Sequence, residues 1–267
     1  MLSNARVHIA PVGLDAPERI IGPLERYKAD RVYLGVLRSA DVKSDIYEVV
    51  WNHLKSRHPE MELRSFSVDI WDLFSCLNEY QRIFAAEVNN HIYVNVSTGS
   101  RIAAIGGMLS CMIWGGTPYY ARIDFSGVEP EIPKIDASLK NTVSVLPVNK
   151  AKVSTIETLP VYSIMKPSND TLKILFIIQQ AGGKLSKKRL IERLQSESVR
   201  LIPVFDAART KSAPHSRLKP LLEPMIQEWG FVSVNSKGRK SEVLLTDQGR
   251  KALRIFGNGF EQPYETA

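Results

Sequence analysis

The chemistry-bearing residues of this sequence concentrate at Asn95-Val96-Ser97-Thr98-Gly99-Ser100-Arg101, where three hydroxyls, a glycine and a guanidinium fall in seven consecutive positions. Hydroxyls, unpaired backbone N–H groups at a helix start and one cation together suit a phosphate or another anion. Gly99 lets a second molecule approach the backbone. Ser97 or Ser100 also suits a simpler role, capping the helix that follows. No Gly-x-Ser-x-Gly surrounds Ser97, so a nucleophile elbow is not indicated. No Gly-x-Gly-x-x-Gly follows the first strand and no Gly-x-x-x-x-Gly-Lys-Ser/Thr occurs, so the two common phosphate cradles are missing.

A second concentration is cationic. Lys211, Ser212, His215, Ser216, Arg217 and Lys219 form one polar, basic run, and Lys237, Arg239 and Lys240 form another. Lys237, Arg239 and Lys240 suit nucleic-acid phosphates, which carry no sequence information, whereas Ser212, His215, Ser216 and Arg217 suit base edges. His8, His53, His58 and His91 are scattered without metal spacing; His8 and His91 fall within or at the ends of strands. Cys76 and Cys111 lie in apolar or helical context, with no Cys-x-x-Cys or Cys/His spacing, so neither a zinc site nor a disulfide framework is expected.

The elements that must position these residues follow from hydrophobic periodicity. Arg6 to Val12 reads as a strand ending at Pro11-Val12-Gly13, and Asp15 to Lys28 as a helix with Ile20, Ile21 and Leu24 inward. Val32 to Leu37 is a continuous apolar run bounded by Arg38-Ser39, the mark of a strand buried on both faces. Asp45 to Arg57 is helical, Met61 to Val68 a third strand and Asp69 to Val88 a long helix. His91 onward is the fourth strand, and Ile102 to Trp114 the helix after the polar turn. Pro118 to Ile123 is a fifth strand and Thr142 to Val148 a sixth. The alternation predicts an α/β fold: a Rossmann-like, open, mostly parallel six-stranded sheet with helices on both faces.

If the first and fourth strands are neighbours, ligands belong in the crevice outside their carboxyl ends. That brings Val12 and Gly13 against the Ser97 to Arg101 turn, with Arg38 and Ser39 beside them. Ala103, Ala104, Gly106, Gly107 and Ser110 are small residues on the following helix. They fit either close packing on the sheet or a twofold contact with a second copy.

Residues 1–150 are therefore expected as one domain, 151–168 as a linker and 169–267 as a second domain. In the last, Asp170 to Gln180 is a helix closed by Gly182-Gly183, and Ser186 caps another, with Leu185 and Leu190 forming a hydrophobic staple. Ser216 to Trp229 carries Leu218, Leu221, Leu222, Met225, Ile226 and Trp229 on one helical stripe, a core face that Pro224 should bend or split. Phe231 to Val234 and Glu242 to Leu245 then alternate around a basic tip, a hairpin, and Thr246 opens a final helix. Three helices, a basic hairpin and a closing helix are the parts of a small winged helix-turn-helix. The segment from Ser196 to Thr210 is longer than the tight turn expected there.

Charge divides the same way. Of 35 Lys+Arg and 28 Asp+Glu, residues 168–267 hold 17 and 10, so the net charge of +7 lies in the second part. A near-neutral part joined to a basic one fits a ligand or assembly domain joined to one that meets a polyanion. The longest uncharged run, Ile102 to Ala121, contains Gly115-Gly116-Thr117-Pro118 and cannot be one spanning helix. With no charged-then-apolar leader before the first strand, a cytoplasmic location is expected, with no membrane association.

The first part resembles a CARF domain, the CRISPR-associated Rossmann fold, on Pro11-Val12-Gly13 and on the Asn-x-Ser-Thr-Gly-x-Arg pattern of Asn95 to Arg101. Leu245 to Arg250, Leu-Thr-x-x-Gly-Arg, resembles winged-helix regulators of the MarR and PadR type. Over nearly its full length the chain is similar to archaeal CARF-containing transcriptional regulators. The resemblance implies a symmetric homodimer, a cyclic oligoadenylate second messenger as effector on Gly13 and Ser97 to Arg101, no other cofactor, and double-stranded DNA as partner. It also raises a rival. Other proteins with this sensor domain carry a helical nuclease whose mark is Arg, four to six residues, then His, a spacing that Arg209 and His215 share. A ligand-activated ribonuclease is thus the alternative to a non-enzymatic regulator. Pro214 beside His215 and the hairpin after Trp229 speak against it.

Overall fold

A computed structural model describes residues 4–13, 16–37, 45–124, 152–196, 213–237 and 240–257. The chain divides into two compact units, Met1–Met165 and Lys166–Ala267.

In the first unit the order is β1 (Arg6–Pro11), α1 (Glu18–Arg26), β2 (Arg31–Leu37), α2 (Asp45–Arg57), β3 (Glu62–Val68), α3 (Leu73–Ala86), β4 (His91–Asn95), α4 (Arg101–Trp114), β5 (Thr117–Asp124) and β6 (Lys152–Thr158). The sheet runs β3-β2-β1-β4-β5-β6. Every pairing is parallel except β5 with β6. The expected architecture is therefore present, and β1 and β4 are the neighbours between which the winding direction reverses. Strand side chains alternate between two cores. Ala10, Val32 and Leu34 pack under Ile20 and Leu24 of α1 and Val50 and Leu54 of α2. Val7, Ile9 and Val94 pack against Cys76 and Tyr80 of α3 and Ala103 and Cys111 of α4. Burial pushes both thiols up to about 12, so the cysteines serve as packing residues.

One expectation for this unit is corrected, and the packing role expected for the small residues of α4 is present. The stretch Thr142 to Val148 lies outside the described residues, and the sixth strand is Lys152–Thr158, inside the segment read as linker. Its side chains are mostly polar and exposed. An edge strand of this kind is held by its ladder to β5, and only Val153 and Ile156 are drawn inward, so no apolar run marks it. The small residues of α4 pack within their own unit. A Cβ on Gly106 would sit 2.9 Å from Cys76 Cβ, and one on Gly107 2.9 Å from Val94 Cγ1, so these glycines let α4 approach α3 and β4.

The second unit comprises α5 (Asn169–Gln180), β7 (Lys184–Ser186), α6 (Lys187–Ser196), α7 (Ala213–Gln227), β8 (Val232–Lys237), β9 (Lys240–Leu245) and α8 (Asp247–Phe256). Its sheet runs β7-β9-β8, all antiparallel. Gly182 and Gly183, at φ 81° and 83°, stop α5. Ser186 Oγ accepts from the Arg189 N–H at 3.3 Å, and Leu185 and Leu190 are both buried, as the staple requires. The three-residue β7 was not expected; it is too short for periodicity to register. On α7, Leu218, Leu222 and Met225 are buried in one core with Leu175, Phe231 and Val243. Of the two outcomes expected at Pro224, bending or splitting, α7 is not split: Pro220 and Pro224 both lie inside one helix. Neither proline has an N–H to donate, so the ladder bonds to the Ser216 and Pro220 carbonyls are both lost while the apolar stripe keeps its packing.

The Leu-Thr-x-x-Gly-Arg pattern has a local meaning. Thr246 Oγ accepts from the Gly249 N–H at 3.1 Å to cap α8, and its hydroxyl donates to the Gly230 carbonyl at 2.6 Å. A Cβ on Gly249 would run into the Phe231 carbonyl, and the Arg250 guanidinium lies over Gly183. Among the described residues no helix is long and apolar enough to cross a membrane.

Candidate functional site

The turn after β4 is built by residues that bond one another. Asn95, 1% exposed, accepts on Oδ1 from the Ser97 N–H at 2.9 Å and the Ser97 hydroxyl at 2.5 Å. Its Nδ2 donates to the Arg19 carbonyl at 2.8 Å, and Arg19 Nη1 donates back to the Ser97 carbonyl at 3.1 Å. These reciprocal bonds tie the first turn of α1 to the end of β4. The Arg19 guanidinium also lies 5.9 Å over the Tyr120 ring. Ser100 caps α4 by accepting from the Ala103 N–H at 3.0 Å, and its hydroxyl donates to the Ile70 carbonyl in the loop after β3.

Close approach explains the two glycines. Gly99 has φ +80°, and a Cβ on Gly13 would stand 2.8 Å from Gly99 Cα. The loops after β1 and β4 thus touch backbone to backbone, the juxtaposition expected at the switch point. Behind them His8, fully buried, stacks on Tyr93 at 4.8 Å and meets the Tyr119 hydroxyl at 3.4 Å. Burial pushes the His8 pKa down to about 3 and holds the imidazole neutral.

What remains for an anion is narrower than the sequence implied. The hydroxyls of Ser97 and Ser100 are already engaged in shaping the turn. Thr98, 2% exposed, has no hydrogen-bond partner for its Oγ1. Arg101 is exposed at the start of α4, where its own N–H and that of Ile102 have no acceptor within the helix. Val12 is buried beside Gly13. Arg38 and Ser39 lie outside the described residues. Arg19 is the contributor that sequence reasoning missed, because only the packing of α1 across the sheet brings it to the turn. Cavities of about 460 Å³ between α1, α2 and β6, and about 350 Å³ at the amino end of β4, include no residue of the 97–101 turn.

In the second unit His215, Ser216 and Arg217 lie in the opening turns of α7, and Lys219 is exposed on it. Lys237 and Lys240 are register partners closing β8 and β9, which places both at the tip of the hairpin. Lys211, Ser212, Arg239 and the nuclease candidate Arg209 lie outside the described residues. Lys188, Arg189 and Arg193 add exposed cations on α6. The sheet β7-β9-β8 does not fit the all-helical domain that the ribonuclease alternative requires.

Residues 6–124 match the family model HFX_2341_N-like, N-terminal, and residues 170–257 match the DUF6293 C-terminal winged helix domain. No curated protein matches the chain. Among solved structures, Can2 from Sulfobacillus thermosulfidooxidans in complex with cyclic tetra-adenylate is similar at 12% identity, 94% of this chain, 64% of that one and TM-score 0.37. Enterococcus italicus Csm6 bound to cyclic hexa-2'-fluoro-hexa-dAMP is similar at 11% identity, 84% of this chain, 56% of that one and TM-score 0.41. Protein VC1899 from Vibrio cholerae is similar at 10% identity, 94% and 64% coverage and TM-score 0.34. The chain spans less than two thirds of each of these. By its two family matches, the chain pairs an HFX_2341_N-like N-terminal region, folded as a Rossmann-like sheet, with a DUF6293-type C-terminal winged helix domain.

Proposed function

We propose that this chain is a ligand-responsive, DNA-binding regulator that works as a homodimer and senses a cyclic oligoadenylate or similar nucleotide beside the Ser97 to Arg101 turn. The observation that carries this reading is the backbone contact of Gly13 with Gly99 at the switch point, next to the opening of α4. Its ligand is an anion met by backbone N–H groups and by Arg101, since Ser97 and Ser100 hold the turn. The winged helix supports the output half of the reading. An anion bound at a seam between two copies favours one relative orientation of them and so sets the spacing of two winged helices on DNA. Only a difference in affinity between two orientations transmits such a signal.

Two measurements test the two halves. The ligand half predicts that a cyclic adenylate raises the melting temperature of the wild type and leaves that of Arg101→Ala nearly unmoved; no shift with any ring size removes this half. The DNA half predicts that replacing Lys237, Arg239 and Lys240 with alanine weakens binding and flattens its salt dependence. An unchanged slope would take the hairpin out of the interface.

A further inference from the structure

Trp71 stands out among the tryptophans. It lies in the loop between β3 and α3, at the carboxyl end of the sheet, and is 67% exposed. Burying such a side chain is ordinarily favourable, and the other three tryptophans are all partly covered. The loop is rigid. Asp69 Oδ1 accepts from the Trp71 N–H at 2.9 Å, Asp72 Oδ1 accepts from the Phe74 N–H at 3.0 Å, and the Asp69 N–H donates to Ser75 Oγ at 3.1 Å. Both carboxylates flanking the indole are thereby engaged in shaping the loop.

The loop is also joined to the candidate site. The residue before Trp71, Ile70, receives the hydroxyl bond from Ser100, which in turn caps α4. The loop that carries the exposed indole is therefore hydrogen-bonded to the helix start where an anion is expected. A flat aromatic side chain on a loop bonded to the proposed anion-binding turn is the pairing that single-stranded nucleic acids and nucleotides use: charge held by backbone and cation, base held by stacking.

We infer that Trp71 is the base-stacking residue of the nucleotide site, with a nucleobase lying on the exposed indole face while its phosphate lies at the turn. This inference rests on the proposed ligand reading and adds to it a specificity residue outside the loops after β1 and β4. Stacking is tolerant of base identity, so Trp71 gives affinity for a nucleotide over a bare anion.

The test uses the full-length wild type, Trp71→Phe and Trp71→Ala, titrated calorimetrically and by tryptophan fluorescence with cyclic di-, tri-, tetra- and hexa-adenylate. Sedimentation of each variant is followed alongside. The expected result is a loss of at least about 10-fold in affinity for Trp71→Ala. Trp71→Phe should stay within about 3-fold of the wild type, because it keeps an aromatic face. Ligand should quench wild-type emission, and the quench should vanish in Trp71→Phe although Trp51, Trp114 and Trp229 remain. Wild-type affinity in Trp71→Ala overturns the inference and leaves the site reading standing. Loss of affinity accompanied by a change in sedimentation also overturns it, and assigns Trp71 to a subunit contact. If the wild type binds none of the four, the site reading itself fails and takes the inference with it.

Discussion

Ser100 does two jobs through one oxygen, capping α4 and holding the Ile70 carbonyl. Removing it frees a helix-end donor and a carbonyl at once, so Ser100→Ala should lower urea-unfolding stability by about 1–2 kcal/mol. Gly99→Ala should be worse for binding than for folding, because its positive φ and the nearby Pro11 ring force the turn to shift. At His8 the effect is on pH dependence. Its pKa falls from an ordinary 6.5 to about 3 in the fold, so between these values the unfolded chain holds more protons. The stability it confers is complete above about pH 6.5 and is lost as pH falls toward 3. His8→Phe should therefore flatten the acid limb by up to about 1.4 kcal/mol per pH unit, read from urea midpoints at pH 4, 5 and 6.

At the scale of elements, close packing explains most of what the glycines do. On α4, Gly106 faces Cys76 across the contact with α3, and a branched side chain has no room there. Gly106→Val should cost about 1–3 kcal/mol by overpacking and lower the melting temperature, while Gly182→Asn, with open space around its Cβ but a φ of +81°, should cost less, about 1 kcal/mol, since asparagine tolerates the left-handed region better than other side chains. In the winged helix, Gly249→Ala drives a methyl into the Phe231 carbonyl and so separates α8 from the hairpin. Far-ultraviolet circular dichroism during thermal melting would detect this as an early, partial transition. The same helix α7 that fills the core with Leu218, Leu222 and Met225 carries Lys219 outward, so the core and the proposed DNA-facing side share one element.

For the molecule as a whole, each unit has its own closed core. Leu172 to Ala252 form one cluster, and none of its members belongs to the clusters around Ile9 and Ile20. Fragments 1–165 and 166–267 should accordingly fold separately, each with a cooperative melt. The second should bind DNA with a salt-dependent affinity and ignore nucleotides, and the first should do the reverse. Ligand at about 100 times its dissociation constant should stabilise the first by roughly 2.7 kcal/mol. A ligand shift confined to fragment 166–267 would reverse the proposed division of labour.

Much of this was legible in the residues themselves. Continuous apolar runs at Val32 to Leu37 and Ile92 to Val94, with amphipathic helices between, determine a covered parallel sheet, because only burial on both faces tolerates such strands. The seven-residue polar turn and the stripe on α7 were equally plain, since each is a local pattern with a local cause. The tertiary structure alone decided that Arg19 reaches Ser97, that Gly13 meets Gly99, that Trp71 is tied through Ile70 to Ser100, and that a polar segment from Lys152 to Thr158 closes the sheet. Those pairings join residues far apart along the chain. Their energy comes from contact and hydrogen bonding across elements, which no periodicity in the sequence encodes.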